Sequence, residues 1–150
     1  MSQVPELSPP VRSALDAGRP VVALESTIIS HGLPRPGNLD AARSFEALLA
    51  GAGVTPATIA VIDGVPRVGL SDADLERIAL DDDVIKVSRR DLPLAMAGKR
   101  TAGTTVAATS ALAARAGIRV FATGGLGGVH RGYAESLDRS EERRVGKECW

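Results

Sequence analysis

The sequence predicts an α/β protein with a layered, mixed β-sheet flanked by helices. Short β-branched runs alternate along the chain with segments whose apolar residues recur at helical spacing, which is the pattern of this class. Aromatic residues make up only 3% of the 150 residues, so the core must be built from aliphatic side chains. An Asp-Gly pair at residues 63 and 64, between two apolar runs, predicts one antiparallel hairpin within the sheet.

Composition excludes several classes of function. The 18 basic and 18 acidic residues cancel, which gives no reason to expect a nucleic-acid polymer or an anionic membrane as a partner. No apolar run approaches the roughly 20 residues that a membrane-spanning helix needs, and the N-terminus lacks a secretory pattern. The one cysteine, Cys149, excludes a disulfide framework. We therefore expect a cytoplasmic protein.

The predicted elements follow one another in regular alternation. Strands are expected at residues 21–24, 58–62, 65–68, 84–88 and 118–122. Helices are expected at residues 10–17, from an N-cap at Asn38 to Gly51, from a cap at Ser71 through Leu80, at 93–97, and from 106 to near Gly117. Residues 33–37, 101–105 and 123–132 are predicted to be loops.

The first predicted strand ends at an acidic residue, Glu25, which two hydroxyl residues follow directly. In α/β proteins, ligands gather outside the carboxyl ends of the strands. A carboxyl group at this position is therefore a candidate for proton transfer. The alternative is that Glu25 only caps or anchors a loop.

Two further polar features lie near the ends of predicted elements. Lys86, near the end of a strand, could meet an anion or point to solvent. Thr104 and Thr105 precede a helix, where hydroxyls and unpaired N–H groups form a phosphate cradle, although ordinary helix capping would give the same pattern. Convergence of these residues with Glu25 at one edge of the sheet would create an anion site that contains an acid.

The last predicted strand leads into a glycine-rich loop. Residues 123–132 contain five glycines together with His130 and Arg131, and such a loop lets backbone N–H groups approach a ligand closely. A dinucleotide fingerprint requires G-x-G-x-x-G, but His130 stands where the third glycine belongs, which argues against a Rossmann-type NAD(P) protein. The run Arg89-Arg90-Asp91 could clamp a phosphate or form a salt-bridged surface turn.

Taken together, these segments resemble the pseudouridine-5'-phosphate glycosidases, also called pseudouridylate synthases or the indigoidine synthase A-like family. The matching stretches are VVALESTIISHGLP (21–34), PATIAVIDGVPRVGL (56–70), KVSRRDLP (86–93), GTTVAAT (103–109) and VFATGGLGGVHRG (120–132). The resemblance implies an enzyme that breaks the C–C glycosidic bond of pseudouridine 5'-phosphate, reversibly, to give uracil and ribose 5-phosphate. It also implies Mn²⁺ as a cofactor and a homotrimer when the chain is full length.

The resemblance further implies roles for individual residues. A C–C glycosidic bond cannot leave as an alkoxide, and the family instead opens the ribose and holds it as an imine on a lysine, assisted by an acid. Carried over by motif, the roles are proton donor for Glu25, substrate binding for Lys86 and the backbone of Val106, and Mn²⁺ ligand for Asp138. The helix end and the glycine-rich loop described above add Thr105 and His130 as further substrate-binding candidates.

The resemblance covers the N-terminal portion of the family domain. We expect residues 1–138 to form this portion and residues 139–150, which do not resemble the family, to be an adapter-derived tail. Ser140 matches a substrate-binding serine of the family but falls in that tail. The nucleophilic lysine of the family lies beyond the Asp138 position, so we expect the chain itself to be inactive. The alternative is a non-catalytic protein that binds a sugar phosphate or a nucleotide.

Overall fold

A computed structural model describes residues 4–125, which form one mixed sheet between two helical layers. The strands are β1 (Glu6–Leu7), β2 (Val21–Leu24), β3 (Thr55–Ile62), β4 (Val65–Val68), β5 (Ile85–Val87), β6 (Ala102–Thr104) and β7 (Val120–Ala122). The helices are α1 (Pro9–Asp16), α2 (Gly37–Gly51), α3 (Asp72–Leu80), α4 (Leu92–Ala97) and α5 (Val106–Arg115), with a π-helical turn at Ile28–Gly32. Within the described residues, no helix is long and apolar enough to cross a membrane. The predicted fold class is confirmed.

The long strand β3 organises the sheet because three strands pair with it. On one side it pairs with β4, which runs antiparallel to it. Strand β1 lies beyond β4 and runs parallel to β4. On the other side its first half pairs with parallel β2 and its second half with antiparallel β6. The two remaining strands also lie on this second side. Strand β7 pairs in parallel with β2, and strand β5 pairs in parallel with β6. Strands β2 and β6 therefore lie end to end along the same edge of β3.

Successive residues of β3 face opposite helical layers. Ala57, Ile59 and Val61 pack in a core cluster with α1, α4 and α5, whereas Ala60 and Ile62 pack with α2, α3 and the π-helical turn. The side chains of a strand alternate between the two faces of its sheet. Because helices cover both faces of β3, its last six residues are all buried.

Two local predictions are wrong. Residues 101–105, predicted to be a loop, contain β6, whose three small residues show no apolar alternation from which a strand could be predicted. Asn38 does not cap α2, which begins at Gly37. The buried Asn38 side chain instead donates hydrogen bonds to the carbonyls of Ile29 at 2.9 Å and Ala79 at 2.7 Å. In both cases a contact distant in sequence decides the structure.

The predicted hairpin and the predicted cap of α3 are confirmed. Asp63 and Gly64 have φ angles of 48° and 82°, as a type I′ turn requires. A Cβ atom on Gly64 would lie 2.6 Å from the carbonyl oxygen of Met96, so packing as well as φ demands glycine there. The hydroxyl of Ser71 accepts a hydrogen bond from the backbone N–H of Asp74 at 3.1 Å and thereby begins α3.

Candidate active site

The carboxyl ends of β2, β5, β6 and β7 meet in one region of the sheet. Strands β2 and β7 end together, with Leu24 opposite Ala122, and strands β5 and β6 end together, with Val87 opposite Thr104. The two pairs point towards each other, because β2 runs parallel to β3 and β6 runs antiparallel to it. The polar residues that follow these strands are therefore brought to a common region, where ligands bind in α/β proteins.

Glu25 follows β2 directly and is half-buried. The hydroxyl of Thr123, the first residue after β7, donates a hydrogen bond to Glu25 Oε1 at 2.5 Å. This contact orients the carboxyl group against the end of β7. The sequence places Thr123 in the glycine-rich loop without a role, and its function as a partner of Glu25 follows only from the pairing of β2 with β7.

The N-terminal end of α5 presents a buried hydroxyl and the N–H groups of a first helical turn. Thr105 occupies the N-cap position, but its side chain makes no capping hydrogen bond. Its hydroxyl is buried and has no hydrogen-bond partner among residues 4–125. Val106 is the first residue of the helix, and N–H groups in a first turn have no acceptor within their own helix. Hydroxyl and helix end together form a place where an oxyanion can be bound.

Lys86 lies in the middle of β5, directly opposite Gly103 of β6, and is half-buried. A Cβ atom on Gly103 would lie 2.3 Å from Ser30 Oγ, so the π-helical turn covers this face of β6. Register partners in neighbouring strands point to the same face. Lys86 therefore shares the face that the π-helical turn covers, and its half-buried position disfavours the interpretation that it simply points to solvent.

The run at residues 89–91 forms a surface turn. Asp91 accepts a hydrogen bond from the backbone N–H of Ser88 at 2.9 Å, and Arg90 Nε lies 3.5 Å from Asp91 Oδ1. Both arginines are exposed. This geometry favours the salt-bridged turn over the phosphate clamp.

The other predicted site residues, His130, Asp138 and Ser140, lie outside the described residues, as do residues 139–150. Among residues 4–125, no group of three or more His, Cys, Asp or Glu side chains is placed to hold a metal ion.

A buried hydroxyl network, which the sequence analysis did not identify, joins the two converging strand ends. Ser26 Oγ donates to the carbonyl of Ile59 at 2.6 Å and accepts the backbone N–H of Thr104 at 2.8 Å. Thr104 Oγ1 donates to the same carbonyl at 2.6 Å and lies 2.9 Å from Thr109 Oγ1. Ser26, Thr104 and Thr109 are each 0% exposed. The only sequence signal was the presence of hydroxyl residues beside Glu25 and before α5.

A second half-buried glutamate, Glu46 on α2, has a similar local environment without lying at a strand end. The hydroxyl of Thr58 donates to Glu46 Oε1 at 2.5 Å. Burial raises the pKa of Glu46 above its ordinary value, and the Thr58 hydrogen bond partly opposes this effect. Glu46 therefore offers a matched control for Glu25.

Comparison with protein families identifies the chain. The family described as "Indigoidine synthase A like protein" matches residues 10–143. The chain belongs to the indigoidine synthase A-like family. The match includes all four strand ends that meet at the candidate site.

Several curated relatives in this family carry the same name. A protein of Frankia alni named pseudouridine-5'-phosphate glycosidase is 65% identical over 136 residues, which are 91% of this chain and 38% of that protein. A protein of Saccharopolyspora erythraea with the same name is 60% identical over 139 residues, which are 93% of this chain and 46% of that protein. The chain thus spans less than half the length of these relatives.

Two solved structures share the fold. A prealnumycin C-glycosynthase, AlnA, crystallised with ribulose 5-phosphate, superposes with a TM-score of 0.75 at 43% identity, over 92% of this chain and 44% of that one. An indigoidine synthase A-like protein of Thermotoga maritima superposes with a TM-score of 0.73 at 32% identity, over 88% of this chain and 44% of that one. The layered arrangement of the described residues is therefore that of the family.

Proposed function

We propose that this chain belongs to a pseudouridine-5'-phosphate glycosidase, which cleaves the C–C glycosidic bond of its substrate to give uracil and ribose 5-phosphate. The observation that carries the proposal is the placement of Glu25 at the meeting point of four strand ends, with its carboxyl held by Thr123 at 2.5 Å. The names of relatives at 60–65% identity support the choice of reaction.

The proposed role of Glu25 follows from the bond that breaks. Uracil leaves through a carbon atom, so a proton must be delivered to that carbon, and a positioned carboxyl group can supply it. Two carboxylates alone, which suffice for ordinary glycosidic bonds, do not provide for this departure. The resemblance adds a lysine that holds the opened sugar as an imine, and we propose that this lysine lies beyond the position of Asp138.

The proposed phosphate-binding groups are the N-terminal end of α5 and Lys86. The backbone N–H at Val106 and the hydroxyl of Thr105, which has no partner among residues 4–125, suit a phosphate oxygen. Lys86 supplies a positive charge from the neighbouring strand. The crystallisation of the C-glycosynthase AlnA with ribulose 5-phosphate supports a sugar phosphate as the ligand class.

Cofactor, assembly and location complete the proposal. A hard divalent ion such as Mn²⁺ suits a shell made of one carboxylate and several waters, and Asp138 is its proposed protein ligand. This residue lies outside the described part of the chain. The resemblance supports a homotrimer, and the composition supports a cytoplasmic location.

The test is uracil release from pseudouridine 5'-phosphate by the full-length enzyme encoded at the locus. Glu25→Gln preserves the size of the side chain and an acceptor for Thr123 but cannot donate a proton as an acid. We expect it to lower kcat by at least about 100-fold, whereas the matched variant Glu46→Gln stays within about threefold of the parent enzyme. Uracil and the reverse condensation can both be followed by chromatography.

The outcomes separate the candidate functions. Full activity in Glu25→Gln, or an equal loss in both variants, would contradict the role of Glu25. A parent enzyme that binds ribose 5-phosphate but releases no uracil would support the non-catalytic sugar-phosphate-binding alternative. Reading the genomic locus past the codon for Asp138 tests the proposed lysine and the proposed foreign origin of residues 139–150 at the same time.

A further inference from the structure

The junction between β2 and β6 is bridged by side-chain hydroxyls, together with one long backbone hydrogen bond from the N–H of Ser26 to the carbonyl of Thr104 at 3.4 Å. Along this edge of β3, pairing with β2 ends at Thr58 and pairing with β6 begins at Ala60. The carbonyl of Ile59 lies between the two and accepts hydrogen bonds from the hydroxyls of Ser26 and Thr104, both at 2.6 Å. Two hydroxyl groups thus replace the backbone N–H that a continuous neighbouring strand would offer.

The shortest contacts in this network give one arrangement of donors and acceptors. The hydroxyls of Ser26 and Thr104 both donate to the carbonyl of Ile59. Ser26 Oγ also accepts a hydrogen bond from the backbone N–H of Thr104 at 2.8 Å. In this arrangement the Thr109 hydroxyl donates to Thr104 Oγ1 at 2.9 Å, and the carbonyl of Thr104 at 3.4 Å is a second acceptor for it. Because the groups are fully buried, removal of one hydroxyl leaves its partners without a solvent substitute.

The opposite face of the junction is also closed. A Cβ atom on Gly103 would lie 2.3 Å from Ser30 Oγ, and that hydroxyl donates to the carbonyl of Ser26 at 3.2 Å. The end of β2 therefore cannot shift along β3 without disturbing contacts on both faces of the sheet.

The network connects the acid to the end of α5. Glu25 immediately precedes Ser26, Thr105 immediately follows Thr104, and Thr109 lies in the first turns of the helix. We propose that the hydroxyls of Ser26, Thr104 and Thr109 set the separation between Glu25 and the N-terminal end of α5, and that these three are positioning residues for C–C bond cleavage. The kinetic consequence rests on the proposed function, whereas the separation itself does not.

The test compares two changes of Thr104 in the full-length enzyme. Thr104→Val keeps the shape and loses the hydroxyl, while Thr104→Ser keeps the hydroxyl and loses a methyl group. We expect kcat to fall at least about tenfold in Thr104→Val and to stay within about threefold in Thr104→Ser, with KM changed by less than about threefold in both. A kcat for Thr104→Val within threefold of the parent overturns the proposal.

A double variant tests whether Thr104→Val lowers kcat through its effect on Glu25. In the Glu25→Gln background, Thr104→Val should lower the remaining rate by no more than about twofold, because the group that it positions is already disabled. A full tenfold further loss would show a general structural role and overturn the proposal. Thr109→Val is the second variant in case Thr104→Val does not fold. It removes only the outermost donor and should lower kcat at least about threefold, and an unchanged kcat overturns the proposal.

A structural measurement separates this proposal from the proposed function. If the parent enzyme releases no uracil, the proposed function fails, and crystal structures of the two Thr104 variants decide the positioning. The separation of Glu25 from Val106 should change by more than about 0.5 Å in Thr104→Val and should be retained in Thr104→Ser. An unchanged separation in Thr104→Val overturns the inference.

Discussion

At the residue scale, two glutamates show how placement decides a role. Glu25 and Glu46 are both half-buried, and each accepts a hydrogen bond of 2.5 Å from a threonine hydroxyl. Glu46 projects from a helix, whereas Glu25 follows a strand whose end meets three others. The two glutamates therefore have similar local contacts. Glu25 is the candidate acid because it lies where the four strand ends meet.

Glu46 should make stability depend on pH. Its folded-state pKa is raised by burial, so the folded protein binds this proton more tightly than the unfolded chain does. Stability is therefore lost as the pH rises from the ordinary glutamate value through the raised one. Glu46→Gln removes the buried charge, and we expect it to raise the thermal unfolding midpoint at about pH 7 but not at about pH 4. The same shift at both pH values, or a lower midpoint at pH 7, would contradict this expectation.

At the element scale, Asn38 ties three elements together. Its amide group donates to Ile29 in the π-helical turn and to Ala79 in the last turn of α3, while Asn38 itself lies in the first turn of α2. Carbonyls in the last turn of a helix receive no hydrogen bond from an N–H of that helix, so they need a donor from elsewhere. The side chain thus caps one helix from within another.

Asn38→Ala removes both donors from buried carbonyls. We expect the free energy of unfolding to fall by roughly 2–4 kcal/mol, since each unpaired buried group costs about 1–3 kcal/mol. Ser44→Ala is the control, because Ser44 lies on the same helix and its exposed hydroxyl donates to the backbone carbonyl of Asp40, one turn earlier, at 2.8 Å. This control should cost less than about 0.5 kcal/mol in urea titrations. Equal costs for the two variants would show that the Asn38 contacts do not stabilise the fold.

How well an element could be predicted depended on where its partners lie. The hairpin at Asp63–Gly64 and the cap at Ser71 are determined within a few residues and are confirmed. Strand β6 pairs with a distant part of the chain, β3, and Asn38 contacts Ala79 across 41 residues, and local patterns do not contain that information. For the same reason, the residues that end each strand could be predicted, but the contact of Thr123 with Glu25, across 98 residues, could not.

At the scale of the whole molecule, the described residues contain one part of the proposed chemistry. Glu25, Lys86 and the end of α5 lie on them, whereas the lysine that forms the imine is proposed to lie beyond Asp138. We therefore expect the 150-residue chain to release no uracil from pseudouridine 5'-phosphate under conditions in which the full-length enzyme turns over. Measurable uracil release by the purified chain would contradict the proposed division of the catalytic residues.

The pairing of β2 with β7 has a consequence for synthesis on the ribosome. Strand β2 has one side against β3, but its other side is covered by Val120–Ala122, almost a hundred residues later. At the usual translation rate of about 5–20 residues per second, that side stays uncovered for roughly 5–20 seconds after β2 emerges. An uncovered strand edge is a template for pairing with another chain. The nascent protein thus has a period of aggregation risk, during which a chaperone that shields strand edges would raise its yield.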